Sequence, residues 1–583
     1  MPFFFFFVLF LSFSLLSLLS ASLREKIFLR FLSAPYVLCF SRFVEAQIMK
    51  KFLTTLFLSA AFAFVADAQA DPPCELLARP SIPQAKVLSA ETVPAGAFKL
   101  PVELPPWMAG AAGVFKTLPA FCRVIVQATP SADSDIRIEI WFPAENWNGK
   151  FQGHGNGGFA GDIDYIHLAT SILGGYAAGS TNTGHSAEGT NASWALGHPE
   201  KVTDFGYRAI HIMTAIGKEV VRARFGENPK FSYFLGCSNG GRQGLMEAQR
   251  YPDDYNGILA GAPANYWTHL LSSGLWDMQA LTSDDASYIP AAKLPSIAHA
   301  VNAACDAQDG VTDGIVNDPR KCNFKPEAML CKSGDANDCL TVPQIAALKK
   351  LYEGPHGAKA GKIFPGFLPG AEEGPGGWVS WIIGMQPNKT AIAAFTTGYF
   401  SNIVYEKADW NYKTADLLQS VKLADEKTVK ILNATDANLA PFKARGGKLI
   451  IYHGWNDPAI SALNSIDYWQ SVRAKLGTTE AESFVRLYML PGVQHCGGGP
   501  GADSFGALNS PGPKDSQHNV QTALELWVEK GTVPTSFIAA KHEGFDPSSP
   551  VKLTRPVCPY PQVAKYKGSG DPNDASNFIC SAE

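Results

Sequence analysis

The fold prediction starts from the stretch Phe231-Ser-Tyr-Phe-Leu-Gly-Cys-Ser-Asn-Gly-Gly-Arg-Gln-Gly244. Its apolar, aromatic beginning, residues 231–235, is typical of a buried strand. A G-x-S-x-G pattern follows at 236–240, and residues 242–250 then favour a helix that ends before Tyr251-Pro252. Strand, tight turn and helix form the context of a nucleophile elbow, with Ser238 exposed at its tip. The alternative is an ordinary glycine-rich turn, so the prediction depends on partners elsewhere in the chain.

Two of those partners follow later strands. A buried strand over 449–452 leads to Asp457, and a second one over 485–490 leads to His495. The order Ser238, Asp457, His495 is the chain order of an α/β-hydrolase triad, in which a histidine activates the serine and an aspartate orients the histidine. For Asp457 alone the alternative is a turn aspartate before Pro458, and for His495 alone it is a structural histidine in a loop. The common order and the common position after strands favour the triad.

A serine esterase also needs amides that stabilise the oxyanion. The amide of Asn239, at the start of the helix after Ser238, is one candidate. The second is expected from the glycine-rich loop after the strand near Phe151, where Gly155 is our choice. Asn156 and Gly157 follow directly, and the spacing does not decide among the three. The same loop is also compatible with a plain connection.

Length and composition agree with a large globular enzyme. The chain has 583 residues and a formal net charge of −4, which argues against nucleic acid or an anionic membrane surface as a partner. Strand and helix patterns alternate over 71–266 and 441–583, which predicts an α/β-hydrolase catalytic domain. Residues 267–440 are rich in loops, glycine and proline, and we interpret them as an inserted lid domain.

The N-terminus carries a predicted leader. Residues 49–70 combine a basic start, an apolar stretch and small residues before a cleavage site, as secretory signal peptides do. Residues 1–48 are then a doubtful upstream extension. In the alternative, residues 1–20 anchor the chain in a membrane. We expect a secreted or periplasmic mature form without a membrane segment.

Cysteine usage agrees with export, because ten of the 11 cysteines follow the leader and an even number suggests disulfides. Cys237 precedes Ser238 and Cys496 follows His495, so a bond between the two becomes feasible if the serine and the histidine meet. The alternative is a pair of unrelated buried thiols. Short loops favour three further pairs, and a fourth lies near the mature N-terminus: Cys305–Cys322, Cys331–Cys339, Cys558–Cys580 and Cys74–Cys122.

The sequence resembles the tannase and feruloyl esterase family. The matching motifs are Gly236-Cys-Ser-Asn-Gly-Gly241, His453-Gly-Trp-Asn-Asp457, His495-Cys496, Ile258-Leu-Ala-Gly-Ala-Pro-Ala-Asn265 and the cysteine-containing tail from Arg555 to Cys580. The likeness extends over essentially the whole mature chain. It implies an α/β-hydrolase core with a large lid and an activity on aromatic carboxylic esters.

An acidic loop in the lid suggests a cation site. Between Cys305 and Cys322, the stretch from Asp306 to Ile315 contains three aspartates interleaved with glycines, which suits calcium, although the terminal glutamate of an EF-hand is missing. Spacing alone is equally compatible with a solvated acidic turn. The resemblance implies a structural calcium here, far from catalysis, and no organic cofactor is expected. The expected ligands are Asp306, Asp309 and Asp313 with the backbone carbonyls of Val311 and Ile315.

The expected function is therefore a serine esterase acting through an acyl-enzyme on Ser238. First candidates as substrates are hydroxycinnamoyl esters of plant cell-wall polysaccharide or quinate, and galloyl esters of tannins. A terephthalate half-ester is the alternative, because the family resemblance extends to mono(2-hydroxyethyl) terephthalate hydrolase. Two other classes are a non-catalytic binding protein of the same fold and calcium-dependent adhesion. Lid aromatics are candidates for the acyl pocket or for the lid core: Trp378, Trp381, Phe395, Tyr399, Phe400, Tyr405 and Trp410.

Overall fold

The computed structural model describes residues 73–78, 84–103, 106–357, 361–507, 513–545 and 549–582. The predicted leader, 1–48 and 49–70, lies outside the described residues. The strands are β1 Ala85–Val93, β2 Phe121–Ala128, β3 Ile136–Pro143, β4 Lys150–His154, β5 Ala177–Thr181, β6 Phe231–Cys237, β7 Gly257–Gly261, β8 His356–Gly357, β9 Gly361–Lys362, β10 Lys448–Gly454, β11 Val485–Leu490, β12 Phe537–His542, β13 Val551–Val557, β14 Val563–Tyr566 and β15 Phe578–Ser581.

Helices alternate with these strands in the catalytic part of the chain and dominate the segment between β7 and β10. They are α1 Tyr165–Leu173, α2 Pro199–Thr203, α3 Ala209–Phe225, α4 Asn239–Arg250, α5 Trp267–Thr282, α6 Leu294–Cys305, α7 Val342–Glu353, α8 Ala391–Tyr399, α9 Leu417–Leu432, α10 Ala440–Ala444, α11 Leu463–Leu476, α12 Thr478–Glu482 and α13 Val520–Lys530. Three π-helical turns join or extend them: Asp204–Arg208, Val379–Ile383 and Phe400–Val404.

Nine strands form one mixed sheet in the order β1-β2-β3-β5-β4-β6-β7-β10-β11. The pairs from β1 through β3 to β5 are antiparallel. Every later pair, from β5–β4 to β10–β11, is parallel. Ser238, Asp457 and His495 follow the C-terminal ends of β6, β10 and β11, and parallel strands of an open sheet place their functional residues at that edge.

The sheet is buried on both faces, because successive side chains of each strand point to opposite sides. In β10, Leu449 and Ile451 pack into one apolar cluster, which includes residues of α3, α4 and α11. Ile450 and Tyr452 pack into the other, which includes residues of α13. The predicted α/β-hydrolase core is therefore present as a sheet covered by helices on both faces.

The chain leaves the sheet after Gly261 and returns to it at Lys448. Within this segment α5 packs against α8 and α9. A separate apolar cluster around Trp378 and Leu348 gives the segment a core of its own. The lid bounds of 267 and 440 stay a prediction. None of the helices in the described part of the chain is long and apolar enough to cross a membrane.

Candidate active site

Ser238 occupies a strained turn between β6 and α4. Its backbone angles are φ 64° and ψ −123°, a conformation that costs non-glycine residues about 1–3 kcal/mol. The turn is possible because glycines surround it. A Cβ on Gly236 would lie 2.5 Å from the carbonyl of Gly240, and one on Gly241 would lie 2.3 Å from the carbonyl oxygen of Gly261. The serine is therefore held at the tip of a nucleophile elbow.

His495 and Asp457 are joined by a hydrogen bond of 2.7 Å between Nδ1 and Oδ2. The other oxygen of Asp457 accepts the amides of Ala459 and Ile460, at 2.8 and 2.9 Å. Burial alone would raise the pKa of Asp457, but the charge interaction with His495 and hydrogen bonds from His453 and His495 outweigh it. The pKa of this carboxyl therefore lies well below its usual range, and the group is an anion.

A second histidine, which the sequence interpretation missed, supports the same carboxylate. His453 is completely buried, and its Nε2 lies 3.1 Å from Oδ2 of Asp457. Its Nδ1 lies 2.7 Å from the hydroxyl of Ser465. His453 stands in the motif that carries the resemblance, four residues before Asp457. The side chain of His453 points into the protein at the end of β10, where it meets Asp457. This direction cannot be predicted from the sequence alone.

A disulfide joins the residues next to the nucleophile and the candidate base. Cys237 and Cys496 are bonded, with their Cα atoms 5.9 Å apart. The bond fixes the elbow against the loop after β11, so Ser238 and His495 are brought to the same place in the fold. The structure also contains the other four expected pairs: Cys74–Cys122, Cys305–Cys322, Cys331–Cys339 and Cys558–Cys580.

The amide of Gly155 is already engaged, which corrects its choice as an oxyanion donor. It donates to the carbonyl of Leu235 at 3.0 Å, because β4 pairs with β6 up to this point. The next amide, of Asn156, donates to Oε1 of Gln243 at 2.9 Å. Both groups hold the glycine loop against the elbow, and neither is free for a ligand.

Amides without a protein partner follow directly. In the described ranges, the N–H groups of Gly157 and Gly158 make no hydrogen bond, and Gly158 lines the cavity that contains Ser238. Asn239 is the first residue of α4, so its N–H also has no partner within the helix. Asn239 also lines the cavity, so its amide and that of Gly158 are available near the nucleophile.

Arg242 stabilises the elbow through its hydrogen bonds, a role that the sequence analysis did not predict. Its side chain is completely buried and donates to Oδ1 of Asn239 and to the carbonyls of Phe205, Gly206 and Leu432. The first two carbonyls belong to the π-helical turn Asp204–Arg208. Burial lowers the pKa of Arg242 to about 9, so the guanidinium remains a cation at neutral pH.

Ser238 faces an apolar cavity of about 620 Å³, its mouth included. Of the seven lid aromatics considered above, Trp381 and Phe395 line it. The Trp381 ring lies edge-on to His495 with the ring centres 4.9 Å apart, and it stacks on Phe395 at 6.4 Å. Trp378, Tyr399 and Phe400 are fully buried in the lid instead.

Comparisons with known proteins agree with this geometry. The family model described as "Tannase and feruloyl esterase" matches residues 122–581. An uncharacterized esterase of Xanthomonas campestris pv. campestris is 39% identical over 551 residues, 90% of this chain and 93% of that protein. A probable feruloyl esterase B-2 of Aspergillus terreus is 34% identical over 79% of this chain and 86% of its own length.

The chain belongs to the tannase and feruloyl esterase family. Among solved structures, feruloyl esterase B from Aspergillus oryzae is similar with a TM-score of 0.79 and 30% identity, over 87% of this chain and 99% of that chain. Tannin acyl hydrolase from Aspergillus niger shares the fold, with a TM-score of 0.67 and 22% identity, over 88% and 94%. This member of the family is a carboxylic ester hydrolase with an α/β-hydrolase core.

The acidic lid loop of this esterase has a donor set suited to a hard cation. Asp306 accepts the amides of Asp313 and Gly314, at 3.2 and 2.9 Å, so its carboxylate closes the loop on itself. Burial, and to a smaller extent the neighbouring carboxylates, raises the pKa of Asp309 and of Asp313. The guanidinium of Arg555 lies 2.6 Å from Asp313. Among the described residues, Arg555 is the cation that interacts with Asp309 and Asp313, and carboxylate oxygens of this kind fit calcium.

Proposed function

We propose that this chain is a secreted serine esterase that hydrolyses hydroxycinnamoyl or galloyl esters through an acyl-enzyme on Ser238. The observation that carries the proposal is the elbow serine, held by a disulfide next to a buried His495–Asp457 pair, at one wall of an apolar cavity. Each part has a separate chemical task in acyl transfer.

His495 acts as the base. Because its Nδ1 is engaged by Asp457, its Nε2 is the nitrogen that takes the proton of Ser238. The serine oxygen then attacks the ester carbonyl, and the alcohol leaves with the proton that His495 returns. Water attacks the acyl-enzyme by the same route. Asp457 remains an anion throughout and stabilises the imidazolium, helped by the hydrogen bond from His453.

The oxyanion is stabilised by the amide of Asn239 and by an amide of the glycine loop, of Gly157 or Gly158. These groups are unpaired within the described residues, and Asn239 and Gly158 line the cavity together with Ser238, whereas the Gly155 amide is bonded to β6. An amide that points to the developing negative charge before the reaction needs no reorganisation, which is why such donors contribute strongly to rate.

The acyl group is aromatic in this proposal. Trp381 and Phe395 offer ring faces and edges beside His495, and Trp267, Phe364 and Phe367 add further aromatic rings to the cavity wall. The names of the feruloyl esterase relatives favour hydroxycinnamoyl esters. Attachment of such acyl groups to plant polysaccharide or tannin, and export of the enzyme, are parts of the proposal. Five disulfides and the predicted leader support export.

We further propose that the lid loop binds one structural calcium ion through Asp306, Asp309 and Asp313 with the carbonyls of Val311 and Ile315. Bound there, the ion would supply charge balance for three carboxylates. The loop is closed by the Cys305–Cys322 disulfide and reaches the C-terminal strands through Arg555. The role of the ion is therefore stabilising, and catalysis does not involve it.

Turnover of an ester panel tests the proposed function. The mature enzyme is expected to hydrolyse at least one of methyl ferulate, methyl gallate, chlorogenate and a terephthalate half-ester, and Ser238→Ala to lose this activity by about 10⁴-fold or more. Ser232→Ala, a buried serine on the same β6, is the matched control and keeps the activity. A serine-directed phosphonate should modify Ser238 alone. A folded protein that neither turns over an ester nor reacts would contradict the proposal.

A further inference from the structure

A histidine and two carboxylates meet at the end of α4 that is remote from the elbow. His211 belongs to α3, Glu247 to the last turn of α4, and Asp254 to the turn that precedes β7. One imidazole nitrogen and one oxygen of each carboxylate all lie within 4.8 Å of one another. Nδ1 of His211 is 2.6 Å from Oδ2 of Asp254. Neither the proposed mechanism nor the acidic lid loop uses any of the three.

The backbone explains why these side chains converge. Tyr251 ends α4, and its amide donates to the carbonyl of Glu247 at 2.9 Å. The amide of Asp254 then donates to the carbonyl of Tyr251, also at 2.9 Å, so the chain turns back toward the helix end. The Tyr251 ring stacks on the imidazole of His211, with ring centres 3.8 Å apart and an angle of 6° between the planes. The imidazole is therefore held in place from α4.

Glu247 is buried in this cluster without a hydrogen-bond partner. Its residue is 1% exposed, and neither carboxylate oxygen has a partner among the described residues. Burial, and then the charge of Asp254, raises the pKa of Glu247, whereas the ammonium of Lys218 lowers it. Lys218 also donates to the backbone carbonyl of Asp254. One ammonium balances only one of two carboxylates, so a proton shared by Glu247 and Asp254, or a metal ion, is needed for the other.

The spacing of the donors suits a small metal ion. Zinc binds nitrogen and oxygen ligands at about 2.0–2.2 Å, so the donors around a tetrahedral ion lie about 3.3 Å apart. Closing the cluster to this geometry requires a rotation of the Glu247 side chain, which breaks no hydrogen bond within the described residues. An ion bonded at about 2 Å fits between oxygens that leave no room for a water molecule.

The site is reached from the side of His211. The side chain of His211 is 36% exposed and that of Asp254 is 13% exposed, while Glu247 forms the inner end of the cluster. An ion that enters here meets the two outer ligands first. The same opening admits a water molecule as a fourth ligand.

The donor set selects among metals. Calcium and magnesium take oxygen ligands, so an imidazole nitrogen argues against both. One imidazole with two carboxylates is a combination that zinc accepts. The lid loop, with oxygen donors alone, belongs to the other class.

We propose that His211, Glu247 and Asp254 bind one zinc ion, with water in the fourth position. Glu247 follows Ser238 by nine residues, which is about 13 Å along α4, so the ion takes no part in ester hydrolysis. Its role is to tie α3 and the turn before β7 to the helix that begins at the elbow. The inference does not depend on the proposed esterase function.

Zinc binding to the mature protein tests the site. The protein is freed of metal, kept in excess calcium so that the lid loop is not available to zinc, and titrated with zinc by calorimetry. We expect one zinc per chain and an increase in Tm. His211→Gln and Glu247→Gln should each weaken zinc binding by about tenfold or more, since even the loss of an outer-shell partner costs about 10- to 100-fold. Glu247→Gln keeps the shape of the side chain, so this variant is expected to fold.

A surface histidine provides the matched control. His518 is paired with Asp515 and is as exposed as His211, but no third ligand joins this pair within the described residues. His518→Gln should therefore leave the zinc affinity unchanged. Hydrogen exchange locates the ion: zinc should slow exchange over residues 251–256 and leave residues 306–315 unaffected.

Three results would overturn the assignment. The first is the absence of zinc binding by the folded wild type, and the second is equal binding by the wild type, His211→Gln and Glu247→Gln, as for adventitious surface binding. The third is a Tm that rises in Glu247→Gln while zinc leaves the wild type unchanged, as expected if the two carboxyl groups share only a proton. None of these readouts uses ester turnover, so they bear on the zinc site alone.

Discussion

Cys237 and Cys496 are separated by 259 residues of sequence, and their Cα atoms lie 5.9 Å apart in a disulfide. Each is the direct neighbour of a residue of the proposed triad, Ser238 or His495. The bond therefore connects the loops after β6 and β11, which come from opposite sides of the lid insertion. The relative position of Ser238 and His495 is therefore fixed by a covalent link as well as by sheet packing.

Removal of this disulfide should impair both stability and turnover. For Cys237→Ser/Cys496→Ser we expect a loss of about 2–4 kcal/mol in the free energy of unfolding, since the bond closes a long loop. We also expect kcat to fall at least tenfold, because small displacements of nucleophile and base are costly. The control, Cys331→Ser/Cys339→Ser, opens a loop of 8 residues and should keep kcat. Equal kcat in the two double variants would contradict the positioning role.

His453 should matter for the charge on Asp457. In His453→Phe the carboxylate loses one of its donors, and a hydrogen bond to a charged group contributes about 1.5–3 kcal/mol. We expect kcat to decrease by about 10- to 100-fold and KM to change little.

The pH profile separates this effect from general misfolding. Hydrogen bonding from His453 helps to keep the pKa of Asp457 low, so its loss raises that pKa toward the ordinary value. The acidic limb of kcat/KM reports protonation of the base, and a carboxylate that has lost a donor attracts the charged imidazolium more strongly, so the limb should move to higher pH. Ser465→Ala removes the hydroxyl at Nδ1 of His453 and should show a smaller change in the same direction. An unmoved acidic limb in both variants would refute the argument.

Much of the fold and of the site is readable from sequence because it is local. The strand–turn–helix pattern around Ser238 and the strands that precede Asp457 and His495 each lie within about a dozen residues. The oxyanion donor of the glycine-rich loop was predicted wrongly, because the amide of Gly155 is already bonded. Which amide remains free depends on where β4 stops pairing with β6, and the bond from Gly155 to Leu235 crosses 80 residues of sequence that local patterns do not connect.

The burial of Asp277 and Arg242 could not be predicted from the local sequence either. Each is a charged residue type on a helix, which in a sequence indicates a solvent-exposed face. Their burial comes from elements far along the chain: α8 of the lid covers Asp277 at Gly274, and the carbonyl of Leu432 reaches Arg242. Such tertiary contacts override the local preference, and they occur here around the catalytic cavity.

Arg242 should be intolerant of even a conservative change. Lysine cannot reproduce the donation to Asn239 and to the carbonyls of Phe205, Gly206 and Leu432. We expect Arg242→Lys to lower the free energy of unfolding by about 3 kcal/mol or more, measured by urea denaturation. The exposed Arg222, paired with Glu219 on α3, is the control, and Arg222→Lys should change stability by less than about 0.5 kcal/mol. Comparable losses in both variants would refute the anchoring role.

Calcium removal should destabilise the lid without affecting chemistry. A ligand present at about 100 times its Kd stabilises the folded state by about 2.7 kcal/mol, so a calcium chelator should lower Tm and added calcium should restore it. Magnesium should not, because it requires a smaller octahedral site. Asp306→Asn should remove the response, whereas the exposed Asp284→Asn should not. Initial rates well below Tm should be unchanged, and a Tm insensitive to chelation would exclude the ion.

The buried acid Asp277 predicts a pH-dependent stability. Burial raises its folded-state pKa above the unfolded value of about 3.9, so the folded chain binds this proton more tightly and stability falls as pH rises from 4 through the folded-state pKa. Asparagine has the same shape and carries no charge at any pH. The Tm of Asp277→Asn minus that of the wild type should therefore be near zero at pH 4 and increase steadily toward pH 8. Asp285→Asn, an exposed change after the same helix, should show no such trend. A Tm difference that stays constant from pH 4 to 8 would contradict a raised pKa of the buried Asp277 carboxyl.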